Sequence, residues 1–257
     1  MFANITVVAI DGAGNIESHI PSILKTSLGL PGSKKLLITN RLIDSDMPQK
    51  VIAQALDYGG YSDFVIYCLF QYIDTDFVLI VQNDGWMLNA QNWRNEWYEY
   101  DYIGGLTHAA IVGSEFYRNY QWKDKPNPII VQNGGFSLRS RKLLEAPTKY
   151  GIVKHPQIGD LANEDVQLSC LMRPALESVG LKFATDEESK LFSFEHLDDE
   201  IHKDLDLRKV FGHHSKTRRL TSNETVNWSC DIYNDGGESE IKIQELFLDY
   251  GYKIVLA

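Results

Sequence analysis

Apolar residues come in short blocks divided by polar turns as far as about residue 80, and the spacing inside the blocks switches between two periods. Ile5-Thr6-Val7-Val8-Ala9-Ile10 is a run of strand length, Ile16, Ile20, Ile23, Leu24 and Leu28 recur at helical spacing, and Lys35-Leu36-Leu37-Ile38-Thr39 is again strand-like. A helical stretch around Phe64 to Tyr72 then leads into the apolar run Phe77-Val78-Leu79-Ile80-Val81. Strand and helix in alternation predict an α/β domain with a largely parallel sheet. Past residue 85 the regularity gives way to Trp86, Trp93, Trp97, Tyr98, Tyr100 and Tyr102, aromatics that can stack on sugar or base rings or simply cover the sheet. Lys123 to Pro128 forms a polar loop, and the short strand Ile129-Ile130-Val131 is expected to end in a flexible turn at Asn133-Gly134-Gly135-Phe136. A helix is predicted to start near Asn163, with Asn163 as N-cap and Glu164 and Asp165 in its first turn. Arg208, Lys209, His213, His214, Lys216, Arg218 and Arg219 form a basic segment, and a helix from Glu238 to Tyr250 and a strand from Lys253 to Leu256 close the chain.

The bulk numbers narrow the class. A chain of 257 residues, 44% hydrophobic and 23% charged, suits one domain spanning 1–257, with 201–257 as a C-terminal lid and small helix-strand extension. Its formal charge of -10 repels polyphosphate, which argues against nucleic acid and requires any anionic ligand to meet a local metal or basic patch. Cys68, Cys170 and Cys230 are widely spaced and contain no C-x-x-C pair, so neither a disulfide framework nor a zinc site is expected. The first residues enter a strand without a basic n-region, and no apolar run approaches the ~20 residues of a membrane span. The reading is a cytoplasmic protein in a reducing compartment, without a transmembrane segment.

Three places could carry chemistry. Asp84, in Gln82-Asn83-Asp84-Gly85, leaves a buried strand at its carboxyl end, where α/β sheets keep their ligands and an acid can hold a divalent cation or merely shape a turn. Gly12-Ala13-Gly14 follows the first strand, but Glu17 stands where the third glycine of a dinucleotide fingerprint belongs, which leaves Ile10 and Asp11 beside a site for a base or ribose. Gly134 and Gly135 allow close backbone approach to a ligand, and Glu164-Asp165 puts two carboxylates at a helix start, where the dipole favours the charged form of a general base.

Taken together, these residues resemble an uncharacterised bacterial and viral family of glycosyltransferase-like proteins. The resemblance rests on Gln82-Asn83-Asp84-Gly85, Tyr100-Asp101-Tyr102-Ile103-Gly104, Asn133 through Ser140, Glu164-Asp165-Val166 and Phe211-Gly212-His213-His214, and it covers roughly residues 5 to 215. It implies a GT-A type fold with a single, mixed, mostly parallel central sheet flanked by helices and a Rossmann-like nucleotide-binding half. It also implies a nucleotide-sugar donor, a glycan or lipid-linked acceptor, Mn2+ or Mg2+ as cofactor, and a peripheral membrane location as an option. By the same resemblance Asp84 and His214, or else His196, hold the metal. Asp165 is the base, Glu164 holds the acceptor, and Ile10, Asp11, Gln82, Asn83, Asn133, Gly134, Gly135 and Arg139 bind the nucleotide-sugar. Two rivals remain: a sugar nucleotidyltransferase, disfavoured because Asp11 to Asn15 contains no Lys or Arg, and a non-catalytic carbohydrate-binding domain.

Overall fold

In the computed structural model, which describes residues 2–157, 159–229 and 238–256, thirteen strands and seven helices are arranged around two sheets. Cys230 lies outside the described residues. The strands are β1 (Ile5–Asp11), β2 (Lys34–Thr39), β3 (Gln49–Val51), β4 (Phe77–Ile80), β5 (Gly85–Met87), β6 (Tyr102–Val112), β7 (Glu115–Arg118), β8 (Ile129–Ser140), β9 (Ser193–Phe194), β10 (Gly212–His214), β11 (Arg218–Leu220), β12 (Thr225–Trp228) and β13 (Lys253–Leu256). The helices are α1 (Ile20–Gly29), α2 (Tyr58–Tyr67), α3 (Arg141–Tyr150), α4 (Glu164–Val166), α5 (Arg173–Ser178), α6 (Asp186–Phe192) and α7 (Glu238–Asp249).

The large sheet runs β3-β2-β1-β4-β8-β6-β9-β10-β5, with β7 paired to β6. Its first four strands are parallel to one another, and β8 enters antiparallel between β4 and β6. The near-continuous apolar run of β1 follows from burial on both faces, as parallel strands require. Because side chains alternate, Val7 and Ala9 pack with Ile23 of α1 on one face while Val8 and Ile10 pack with Phe64 and Val65 of α2 on the other. Local chemistry fixes the helix starts: Asp57 accepts the Gly60 N–H at 2.7 Å ahead of α2, and Ser140 accepts the Leu143 N–H at 3.0 Å ahead of α3.

Two expectations need correction. The sheet is not single, since β11, β12 and β13 form a second, three-stranded sheet. Its core is shared with the edge of the large one, where Trp86, Phe194 and Val210 pack with Trp228, Phe247 and Tyr252. Second, Asn133-Gly134-Gly135 is no turn but the interior of the twelve-residue β8. Glycines suggested a turn, yet here they answer crowding: β6 shifts register between Gly104 and Leu106, and a Cβ on Gly104 would run into the Asn133 carbonyl. The helix start expected near Asn163 is present, with Asn163 at the N-cap and Glu164 and Asp165 in the first turn, though Asn163 makes no side-chain capping bond and α4 passes directly into π-helical turns over Gln167–Leu171.

Candidate functional site

Ile80 of β4 pairs with Ser137 of the antiparallel β8, so the chain leaving β4 runs alongside Gly135 and Asn133. The turn that follows is tight, with the Gly85 N–H donating to the Gln82 carbonyl at 3.0 Å. It is clamped from both sides. The Asn83 N–H donates to His19 Nδ1 at 3.1 Å and its side-chain amide to Ser18 Oγ at 3.0 Å, while the Ser215 N–H donates to the Asp84 carbonyl at 2.7 Å. Above this turn, beyond the carboxyl ends of β1 and β4, opens a cleft of about 710 Å³.

Asp84 lies on the cleft wall between two histidines. Its Oδ1 is 3.4 Å from His214 Nε2 and, though buried, meets no hydrogen bond. Burial pushes the Asp84 carboxyl up, but the charge and contact of His214, with a smaller contribution from His19, bring it below the ordinary carboxylate value. His214 responds in the opposite sense: burial disfavours its cation, yet Asp84, Glu195 and Asp165 together raise it to about 9. Asp11 uses both carboxylate oxygens on its own turn, accepting the Ala13 N–H at 2.6 Å and the Asn15 N–H at 2.8 Å.

Facing them is the acid pair. Arg139, 0% exposed, reaches Glu164 Oε1 at 2.6 Å beneath the sheet and lies over the Tyr102 ring, so it is a core residue and not part of the cleft lining. Asp165 accepts the Gly134 N–H at 3.2 Å and the Val166 N–H at 2.8 Å. Its carboxyl is raised to about 7, by burial first and by Glu164 next. Burial and a like charge thus outweigh the helix start, the reverse of the dipole argument from sequence, and they let the group exchange its proton near neutral pH.

The glycines of β8 make this convergence possible. A Cβ on Gly135 would come within 2.7 Å of Gln82 Oε1 and closer still to His214 Nε2, and one on Gly134 would meet Arg139 Nη2 at 2.8 Å and press on Glu164. Gly135→Ala is therefore expected to cost about 1–3 kcal/mol of stability through overpacking and to displace His214. Urea midpoints together with the His214 ring resonances would check this, and an unchanged midpoint would contradict the crowding.

The cleft gathers Ile10, Asp11, Gln82, Asn83, Asp84, Asn133, Gly135, Glu164, Asp165 and His214 of the residues singled out from sequence; Gly134 and His196 are not in its lining. The aromatic stretch is elsewhere: Trp86, Trp97 and Tyr102 are buried, and Trp93 packs on Trp97 and Phe211. The basic segment divides. Lys216 and Arg219 line the cleft beside His214, whereas Arg218 is buried against Glu195 and Trp228 and Arg208 pairs with Asp249 on the surface. Sequence reasoning missed His19, Tyr58, Tyr61, Arg118 and Glu195, all of which line the cleft. Glu195 did carry a signal, since it leaves the short strand Ser193–Phe194 as Asp84 leaves β4.

Among the described residues no three His, Cys, Asp or Glu side chains form a group able to hold a metal ion. Asp84 nevertheless fits one position of a hard cation, because its buried Oδ1 meets no hydrogen bond and Mg2+-like ions take one or two carboxylates besides phosphates and water, and His214 would fit a second position only after losing its proton. No curated protein matches the chain. The profile of one family, described as "Protein of unknown function (DUF5672)", matches residues 53–214, a span that opens just before α2, takes in Asp84, Asn133, Gly135, Glu164, Asp165 and Glu195, and ends on His214. By that match the chain belongs to the DUF5672 family.

Proposed function

We propose that the protein is a glycosyltransferase of GT-A type, which moves a sugar from a nucleotide-sugar donor to a hydroxyl of a glycan or glycolipid acceptor with inversion. The observation that carries this reading is the meeting, in one cleft, of Asp84 at a strand exit, His214, and an Asp165 carboxyl raised to about 7. The parallel order β3-β2-β1-β4 followed by the antiparallel β8 supports it at the level of fold.

In this reading Asp165 removes the proton of the acceptor hydroxyl as that oxygen attacks the anomeric carbon, and attack opposite the departing nucleotide inverts the centre. Asn133 and the backbone of Gly135 lie along the donor sugar, and the exposed Lys216 and Arg219 bring positive charge to a diphosphate that the overall charge of -10 would otherwise repel. A divalent cation, Mn2+ or Mg2+, held by Asp84 and neutral His214, would supply Lewis-acid stabilisation of the charge on the leaving nucleotide.

Thermal shift with UDP, GDP, dTDP and CMP, each with and without Mn2+, tests the proposal. One nucleotide should stabilise the fold only with metal, by ~2.7 kcal/mol at 100 times its dissociation constant, and Asp84→Ala should abolish the effect. Absence of a shift with every nucleotide would defeat the proposal and favour a carbohydrate-binding domain without catalysis.

A further inference from the structure

Beside the main cleft lies a second, smaller cavity of about 20 Å³, enough for one hydroxyl or water. It shares Arg118, Asn133, Asn163, Asp165 and Glu195 with the cleft and adds Thr107, Phe116, Val131 and Val166. Its polar groups are chiefly acceptors. Glu195 is 7% exposed; burial opposes its charge, but His196, His214 and Arg118 hold its carboxyl well below the ordinary range. Its Oε2 accepts the Asn133 side-chain amide at 2.8 Å and the Thr107 hydroxyl at 3.4 Å. Asn163 Oδ1 is buried without a hydrogen bond, and Asp165 contributes a further carboxylate. The cavity wall carries two carboxylates, Glu195 and Asp165, against one cation, Arg118, whose charge acts on Glu195 and on Asp160 at 3.5 Å. Phe116, half-buried on β7, adds an aromatic face beside this polar set.

Acceptors in excess, an aromatic ring and an unmet buried carbonyl suit a group that donates hydrogen bonds and carries a C–H face. We propose that this annex is the acceptor subsite: it takes a hydroxyl group of a neutral sugar, sets it against Asp165, and rejects acidic sugars through Glu195. The inference rests on the transferase reading for the word acceptor, but the annex itself is tested without any nucleotide.

Saturation-transfer NMR on the full chain with millimolar methyl glucoside, methyl galactoside and methyl mannoside, against methyl glucuronide, gives the decisive comparison. At least one neutral glycoside should show transfer to its ring protons while the glucuronide shows several-fold less. Phe116→Ala and Glu195→Gln should each weaken the signal about tenfold, with Leu248→Ala, at an exposed residue of α7 that lines neither cavity, as a control. Melting curves confirm that the variants fold, and the neutral-to-acidic ratio in the wild-type protein stands even if one variant does not. Transfer from no neutral glycoside, equal transfer from the glucuronide, or unchanged binding in both folded variants would overturn the proposal and reduce the annex to a water site. Glycoside binding without any nucleotide shift would instead keep the subsite and remove the transferase.

Discussion

Asp165→Asn is expected to lower turnover by about 10²–10⁴-fold, the usual worth of a positioned general base, with nucleotide binding little changed. The substitution preserves volume, and an amide oxygen can still accept one of the two N–H donors, from Gly134 at 3.2 Å or Val166 at 2.8 Å, that now hold the carboxylate. What is lost is the proton acceptor. Since burial and Glu164 raise that carboxyl to about 7, the wild-type rate should climb with pH and level off above that value. The variant should lose this limb. Release of nucleotide from each candidate donor, followed across pH, measures both effects, and equal turnover in the variant would remove Asp165 from the chemistry.

The same shift affects stability. A folded-state value of about 7 lies above the ordinary aspartate value of 3.8, so the folded protein binds the proton more tightly than the unfolded chain does. The favourable contribution is complete below a pH of about 4 and is lost as pH rises through about 7. Asp165→Asn should therefore melt higher than the wild type at a pH of about 8 and show no such gain near pH 4. On the proposed transferase reading, a base held near neutrality by burial costs stability at the pH where it works, a trade often found at functional sites.

How much of this was legible in the sequence depends on whether the signal was local. The runs of β1, β2 and β4 follow from periodicity because each run buries its own apolar faces, and the tail elements α7 and β13 follow from their apolar spacing although β13 is largely exposed. Asp84 could be placed at a strand exit for the same reason. Gly134 and Gly135 could not be placed correctly, because their reason is the approach of His214 and Glu164 from segments far away in sequence. Arg139 likewise reads as a ligand-binding cation until burial puts it under Glu164. His19 looks like an ordinary helix-start residue, and only the fold brings its Nδ1 to the Asn83 N–H. The second sheet was missed because β11 and β12 are short and bury their residues against Phe247 of α7 and not along their own length.

Arg139→Met is expected to cost about 3–5 kcal/mol, the usual result of removing one partner of a buried ion pair. The guanidinium is 0% exposed; it bonds Glu164 Oε1 at 2.6 Å and Ser137 Oγ at 3.1 Å, so its loss strands a carboxylate that is itself 8% exposed. Methionine fills most of the space, which makes the lost charge the main effect. Adding Glu164→Gln removes the stranded charge, and the double variant should recover a large part of the loss, a coupling that a double-mutant cycle in urea reads directly. The two roles open to Arg139 separate in this experiment. A structural arginine predicts a large fall in midpoint with rescue by the second substitution, whereas a donor-binding arginine predicts weaker nucleotide binding in a protein of unchanged stability and no rescue.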